Sequence, residues 1–298
     1  MNIRRYEEAA SILPARLRRL ALALPDGQKA VGEEFRLRTL RPFTLLTAEG
    51  EVEFEAIVTA EELEMLCDLA TEFSRYAAAE TLRQGFVSVR GGFRLGLCGT
   101  AVMKAGENTN LRQLSSAAIR IAREHKGAGE AVAKELLREG SFCNTLIYSA
   151  PGGGKTTLLR DLVRIFSDGA IVPPHRVALL DERGEVAVMH RGEPQMDIGE
   201  RTDVLDACPK TVGIPMVLRA MNPQIIAVDE ITASEDIRAM THAAGCGVGL
   251  LATVHGASRE ELMEKPLYRA LMETAVFQKG ICISRHDGQR QYRVEDLV

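Results

Sequence analysis

Residues 149–157 read SAPGGGKTT, and they lie between an apolar run, NTLIY, and a segment whose apolar residues have helical spacing, LLRDLVRIF. An apolar run, a glycine-rich turn and a helix in this order predict a strand, a loop and a helix. The alternation continues downstream, where helical segments separate the short apolar runs RVALLD, QIIAVD, VGLLATVH and GICIS. Near-continuous apolar strands joined through helices indicate a mainly parallel sheet covered on both faces.

The glycine-rich loop has the composition of a phosphate-binding loop. Its glycines let backbone N–H groups point at phosphate oxygens, and the following helix presents its N-terminus to the anion. The pattern G-x-x-x-x-G-K-[ST] is met except at its first position, where the chain has Ser149. We expect serine to be tolerated there if its φ is negative. A glycine turn without a ligand is the alternative. The predicted nucleotide-binding residues are Pro151, Gly152, Gly153, Gly154, Lys155, Thr156 and Thr157.

Acidic residues at a later strand end complete the predicted site. Asp229 and Glu230 follow the apolar run IIAV. Thr156 and Asp229 are the predicted Mg²⁺ ligands, the aspartate through water. Lys155 is expected to reach the β- and γ-phosphates of ATP, and Glu230 to orient the attacking water. The alternative, a pair of solvated acids, is disfavoured by the glycine loop upstream.

Two further strand ends carry polar side chains. Asp181 and Glu182 follow RVALL, and His255 ends VGLLATVH. The ends of parallel strands converge on the crevice where α/β sheets bind ligands. A lone histidine is more often structural. At a strand end beside the expected γ-phosphate, His255 is interpreted as a sensor of the nucleotide state.

The chain divides into two predicted domains. Residues 1–139 contain short alternating segments and a helix opened by a capping box, and they predict a smaller α+β domain with a basic first helix at 3–24. Another helix is predicted at 126–140. Residues 140–298 predict an α/β fold, a RecA-like P-loop NTPase domain with a mainly parallel sheet. The domain closes with a hairpin turning at Asp287-Gly288.

Composition bounds the class of protein. A net charge of −4 argues against a general nucleic-acid binder. The six cysteines form no C-x-x-C pair, which is typical of reduced thiols in a cytosolic protein. The N-terminal segment is broken by charges and is not a signal peptide, and no run approaches the roughly 18 apolar residues of a membrane span. Any membrane role is therefore expected to act through a partner.

This order of motifs resembles the ATPases of type II and type IV secretion systems. In that family a P-loop is followed by an acidic box, a Walker B segment and a T-x-H box. The matching residues here are Lys155-Thr156, Asp181-Glu182, Asp229-Glu230 and Thr253-Val254-His255. With this resemblance, the predicted catalytic residues are Glu230, Lys155, Glu182, His255 and, among the arginines considered below, Arg94.

Segments along nearly the whole chain are also similar to a sporulation branch of this superfamily in endospore-forming bacteria. They are EEFRLRTLRPF, GFVSVRGGFRLGL, GGGKTTLLRDLVR, LLDERGEV and GERTDVLDACPK. Ser149 and the apolar continuation GEVAV depart from the pattern without removing a catalytic group. The resemblance implies a homo-oligomeric, hexameric ATPase in the mother-cell cytoplasm. It would dock on an integral-membrane partner and energise a channel between mother cell and forespore.

Arginines are the expected source of positive charge in the transition state. Phosphoryl transfer needs such cations, and a neighbouring subunit often supplies them. Secretion ATPases use arginines of the N-terminal domain in this role. The favoured candidates are Arg94 and Arg90, which flank a hairpin predicted to turn at Gly91-Gly92. A solvated or structural charge is an equal alternative. Arg183 and Arg201 are the candidates in the second domain.

Two other functions stay open at this point. One is an ATP-gated assembly scaffold with little turnover, although Glu230 and His255 serve mainly turnover. The other is a RecA-like nucleic-acid motor, which the net charge of −4 and the absence of tryptophan argue against. We therefore expect ATP and Mg²⁺ as cofactors and no specific nucleic acid as a partner.

Overall fold

The computed structural model describes residues 2–47, 49–76, 78–121, 126–286 and 289–298, which fold into two compact units. The first unit comprises Met1–Arg123 together with Met189–Gln195, and the second comprises Glu124–Val188 and Met196–Val298. Among the described residues, none of the helices is both long enough and apolar enough to cross a bilayer. The six cysteines are free thiols; Cys67, Cys143 and Cys282 are buried, and the other three are partly or fully exposed.

The first unit is built on an antiparallel sheet. Its helices are α1 (Asn2–Ala10), α2 (Ala15–Leu22), α3 (Asp26–Val31), α4 (Ala60–Ala70) and α5 (Ala79–Arg83). Its longer strands are β1 (Gly32–Arg38), β2 (Pro42–Thr47), β3 (Gly50–Ile57), β4 (Phe86–Val89), β5 (Phe93–Lys104) and β6 (Glu107–Arg120). They pair in the order β3-β2-β1-β6-β5-β4. The hairpin from β4 to β5 turns at Gly91-Gly92, as the sequence predicts.

Aromatic side chains on neighbouring strands form part of the core of this unit. Phe43 stacks between Phe35 and Phe54, with ring centroids 5.7 and 4.3 Å apart. The basic helix predicted at 3–24 is instead two helices, because Pro14 lies between them and cannot continue a helix.

The second unit alternates strands and helices. After a short 3₁₀ helix (Ala133–Leu136), its helices are α6 (Lys155–Asp168), α7 (Lys210–Ala220), α8 (Ser234–Gly245), α9 (Arg259–Glu264) and α10 (Pro266–Glu273). The strands from residue 137 onward are β7 (Leu137–Arg138), β8 (Ser141–Phe142), β9 (Thr145–Ser149), β10 (Val177–Asp181), β11 (Met189–His190), β12 (Glu193–Pro194), β13 (Thr202–Asp206), β14 (Ile225–Val228), β15 (Gly249–His255), β16 (Lys279–His286) and β17 (Gln289–Asp296). Of these, β11 and β12 pair with each other and belong to the first unit.

The main sheet of the second unit has the order β13-β10-β14-β15-β9-β16-β17. Its pairs are parallel except for β16 with β17. Every residue of β9, β10 and β14 is buried, so both faces of these strands are covered, as the apolar runs predict. The carboxyl ends of β9, β10, β14 and β15 therefore lie along one edge of the sheet. β17, which is antiparallel, begins at that edge.

Three further local predictions concern the helix at 126–140, the domain boundary and the last hairpin. The helix predicted at 126–140 is wrong, because the described chain there forms turns, a 3₁₀ helix and the β7–β8 hairpin. Gly129 packs so closely on Leu162 that a Cβ at this position would lie 2.8 Å from that side chain, which favours glycine over a regular helix former. The predicted domain boundary at 139/140 lies at the turn of that hairpin. The predicted turn at Asp287-Gly288 lies outside the described residues, although the strands on either side form the predicted hairpin.

Candidate nucleotide-binding site

The glycine loop connects β9 to α6 at the carboxyl edge of the sheet. Gly152 and Gly154 have φ angles of 71° and 105°, in the left-handed region that favours glycine. A Cβ at Gly153 would lie 2.3 Å from Oγ of Ser149, so a side chain does not fit there. Gly154 is the N-cap of α6 and provides no side-chain cap. The first N–H groups of the helix are therefore available to an anion.

Ser149 does not have the positive φ that would require glycine at this position. It is the last residue of β9 and has extended backbone. Its buried hydroxyl donates to the carbonyl of Ala150 at 2.9 Å, and its own carbonyl accepts from the N–H of Gly256 at 3.1 Å. Only the first of these contacts requires the serine side chain, and the contact with Gly256 is made by the backbone alone.

Ser149→Gly is expected to leave ATP hydrolysis nearly unchanged. The loop shape depends on Gly152 and Gly154, while glycine in a strand lowers the free energy of unfolding by only about 0.5–1 kcal/mol. Steady-state turnover would check the expected rate of hydrolysis, and urea unfolding would check the expected change in the free energy of unfolding. A large gain in turnover would show that serine distorts the loop.

Lys155, His255, Glu230 and Arg183 form a continuous chain of polar contacts. Nζ of Lys155 lies 2.8 Å from Nδ1 of His255, and Nε2 of His255 lies 3.0 Å from Oε1 of Glu230. Arg183 donates to the other oxygen of Glu230 at 2.6 Å. A charged lysine can only donate, so Nδ1 accepts and the ring proton lies on Nε2, facing Glu230. The predicted lysine, histidine and glutamate thus meet in one cluster.

Asp229 is buried beside this cluster, with 7% of its surface exposed. The hydroxyl of Thr253 donates to Oδ1 of Asp229 at 3.2 Å and accepts from the N–H of Glu230 at 3.0 Å. Burial raises the pKa of Asp229, and the negative charges of Asp181 and Glu185 add to this effect. Thr253 therefore fixes the two acids that follow β14 relative to β15.

The buried amine of Lys155 is also perturbed. Burial lowers the pKa of Lys155, while the carboxylates of Glu230 and Asp229 act in the opposite direction. A buried ammonium group needs hydrogen-bonding and charged partners. An anionic ligand bound at the glycine-loop N–H groups would give Lys155 such a partner.

Asp181 is occupied by its own loop. Its carboxylate is fully buried and accepts hydrogen bonds from backbone N–H groups at 2.8–3.4 Å. The donors are Glu185, Val186, Ala187 and Val188. Arg160 holds the same loop by donating to the carbonyls of Glu185 and Val186. Asp181 is therefore the anchor of the 182–188 loop.

Glu182 and Arg201 lie outside the Lys155 cluster of the second unit. Glu182 accepts from Lys210 at 2.5 Å, and its place among the catalytic residues stays a prediction. Arg201, which directly precedes β13, donates to carbonyls at the C-terminal end of α6, opposite to the end that carries the glycine loop. Arg94 belongs to the first unit, where its guanidinium stacks 3.9 Å from the ring centroid of Phe86.

The donor set fits Mg-nucleotide better than a metal held by protein alone. In the described part of the chain, no group of three or more His, Cys, Asp or Glu side chains is placed to hold a metal ion. Mg²⁺ in phosphate sites usually takes one or two carboxylates together with phosphates and water. Thr156, in the first turn of α6, and Asp229 would supply the protein ligands.

Sequence reasoning missed two residues of this site. The bridging role of Thr253 had a signal, because this residue lies in the matched T-x-H box. Arg290, on β17, lies against Gly154 of the glycine loop. No local pattern points to it, since the contact joins residues far apart in the chain.

The fold resembles that of two solved proteins, a pilus retraction motor and an ATPase. PilT, solved as a pilus retraction motor with bound ADP, aligns with a TM-score of 0.61 and 15% identity over 89% of this chain and 79% of PilT. The ATPase DotB of Legionella pneumophila aligns with a TM-score of 0.58 and 14% identity over 89% of this chain and 76% of DotB. At these identities the likeness concerns the fold.

Sequence relatives are more specific. Stage III sporulation protein AA of Bacillus subtilis (strain 168) is 38% identical over 282 residues, which cover 94% of this chain and 92% of that protein. The model of the family described as "Sporulation stage III, protein AA" matches residues 3–294. The chain therefore belongs to the stage III sporulation protein AA family.

Proposed function

We propose that this chain is a Mg²⁺-dependent ATPase of the secretion type. Residues 140–298 would form its RecA-like P-loop domain, and residues 1–139 a smaller α+β domain that precedes it. The observation that carries the proposal is the contact chain from Lys155 through His255 to Glu230, at the end of strands adjacent to a glycine loop. A loop that only turned the chain would need neither a buried lysine nor an acid placed beside it.

Each residue of the cluster has a role in phosphoryl transfer. Lys155 would turn from Nδ1 of His255 to the β- and γ-phosphates, because a charged oxygen is a stronger acceptor than a neutral ring nitrogen. Glu230 would orient the attacking water. His255 would hold Glu230 in place through the hydrogen bond that its Nε2–H donates to the carboxylate. Thr156 and Asp229 would hold Mg²⁺, which would supply positive charge to the phosphate oxygens. Arg94 stays our proposed source of a further transition-state cation.

The biological role is proposed from the family. A stage III sporulation protein with the fold of secretion ATPases is expected to energise assembly of, or transport through, a channel between mother cell and forespore. We infer a hexamer in the mother-cell cytoplasm that binds an integral-membrane partner. The likeness of the fold to DotB, an ATPase, and to PilT, a pilus retraction motor, supports the ATPase part of this proposal.

The purified full-length protein is expected to hydrolyse ATP only with Mg²⁺, and Lys155→Ala is expected to abolish this. The lysine is a buried cation whose natural partner is a phosphate, so its loss removes both binding and charge stabilisation. Phosphate release measures turnover, and light scattering with a non-hydrolysable ATP analogue measures assembly in the same samples. Mg²⁺-independent turnover, or none in the presence of the membrane partner, would refute the motor.

A scaffold gated by ATP is the second candidate. It is favoured by the contacts that already occupy Glu230, since Arg183 and His255 together take both carboxylate oxygens. In a scaffold these contacts would hold a structural state, and turnover would be incidental. Turnover and sporulation of a Glu230→Gln variant distinguish the two functions, because the motor needs the carboxylate charge and the scaffold does not.

A further inference from the structure

Arg290 covers the glycine loop from the last strand of the sheet. A Cβ at position 154 would lie 2.8 Å from Nε and 3.0 Å from Cζ of Arg290. Gly154 is the residue before Lys155 and has a left-handed φ of 105°. The guanidinium is therefore packed against the backbone of the loop where an anion would bind.

One N–H of this guanidinium is also without a hydrogen-bond partner. Nε of Arg290 is buried, and it has no hydrogen-bond partner in the part of the chain that the structure describes. A buried, unpartnered N–H of a charged group is costly, and such groups are normally satisfied by a ligand, water or protein. The guanidinium carries several donors in a planar fork that matches phosphate oxygens. An anion in the glycine loop would satisfy it.

The strand order places Arg290 opposite to the catalytic residues. β9, which leads into the loop, lies between β15 and β16 in the sheet. Glu230 and His255 come from the β14 and β15 side, whereas Arg290 comes from β17 on the other side. The backbone of a P-loop holds the α- and β-phosphates, and the residues that act on the γ-phosphate are those near Glu230. Arg290 therefore faces the part of the ligand that ATP and ADP share.

We propose that Arg290 binds the α- and β-phosphates of the nucleotide and contributes equally to the binding of ATP and ADP. The inference rests on the proposed function, because it needs a nucleotide in the glycine loop. It makes Arg290 a binding residue supplied by the same chain, distinct from an arginine that acts on the γ-phosphate. An arginine of the second type would distinguish ATP from ADP.

The test compares Arg290→Met with the wild-type, full-length protein. Calorimetric titration with ADP and with a non-hydrolysable ATP analogue is expected to show a roughly tenfold loss of affinity for each, the size expected for a charged hydrogen bond. Arg290→Lys should lie between the two, because it keeps the charge and loses the fork. Arg293→Met is the matched control: this arginine on the same strand is exposed and pairs with Glu295 at 3.4 Å.

Thermal unfolding supplies a second measurement, in which the variant is expected to be no less stable than the wild type when nucleotide is absent. Without nucleotide, Arg290→Met should melt at the wild-type temperature or above it, because the unpartnered N–H is removed. The increase in melting temperature caused by saturating ADP should shrink. A purely structural arginine would instead lower the melting temperature without ligand, and that result would overturn the inference.

The remaining outcomes separate the inference from the function it depends on. If Arg290→Met loses affinity only for the ATP analogue, or for neither ligand, while the wild type binds and hydrolyses ATP, the inference fails and the proposed function stands. If the wild type binds neither ADP nor the analogue, both the proposed function and the proposed role of Arg290 are wrong.

Discussion

Glu230→Gln is expected to lower kcat for ATP by about 10²–10⁴-fold, the range for loss of a general base that acts on water. Glutamine keeps the side-chain length and an oxygen that accepts from Nε2 of His255, which now lies 3.0 Å away. It loses the negative charge that orients and polarises the water. ATP binding should survive, since the glycine loop and Lys155 are untouched.

Turnover and binding must therefore be measured separately for this variant. Phosphate release would report kcat, and titration with a non-hydrolysable analogue would report affinity. Glu264→Gln, an exposed residue of α9, is the control with the same chemical change. In sporulating cells the motor predicts loss of function for Glu230→Gln. Sporulation at the wild-type level would support the scaffold instead.

Asp181→Ala should lower the free energy of unfolding by ~3–5 kcal/mol, among the largest effects of a single substitution. The carboxylate is fully buried, and it satisfies the backbone N–H groups of residues 185–188. Removing it leaves those buried donors without their acceptor. The loop that carries Glu182 and Arg183 should loosen with it, so turnover should also fall.

Asp206→Ala is the matched control for this substitution. Asp206 pairs in register with Asp181 on the adjacent strand, but it is exposed. We expect its removal to change stability by no more than about 0.5 kcal/mol. Urea unfolding of both variants would compare them, and a loss below 1 kcal/mol for Asp181→Ala, on the order of one hydrogen bond, would contradict the anchoring role.

The parallel sheet could be predicted because its signal is local. A strand buried on both faces must be apolar along its whole length, as in IIAV of β14 and VALL of β10, and few other structures need such runs. The residues that follow these runs then fall at one edge of the sheet by topology. This is why Lys155, Glu230 and His255 meet as expected.

The partners of the polar residues could not be predicted in the same way. Asp181 lies at a strand end like Asp229, yet one carboxylate binds its own loop and the other faces the cluster. That difference depends on backbone torsions of residues 182–188, such as the left-handed φ of 52° at Val188, which no apolar pattern encodes. The approach of Arg290 to Gly154 depends on the length of the β16–β17 hairpin and on its place beyond β16.

The short hairpin of β11 and β12 bears on how this chain can be divided. Within the first unit, the side-chain oxygen of Gln195 accepts from the N–H of Gly91 at 2.6 Å, and Glu72 pairs with Arg191 and with His190. A gene fragment ending near residue 123 would therefore lack part of its own folded unit. Neither half of the sequence can therefore be exchanged by itself. In a chimera that joins residues 124–298 to the first unit of a relative, the 189–195 segment would have to pack on the relative's sheet.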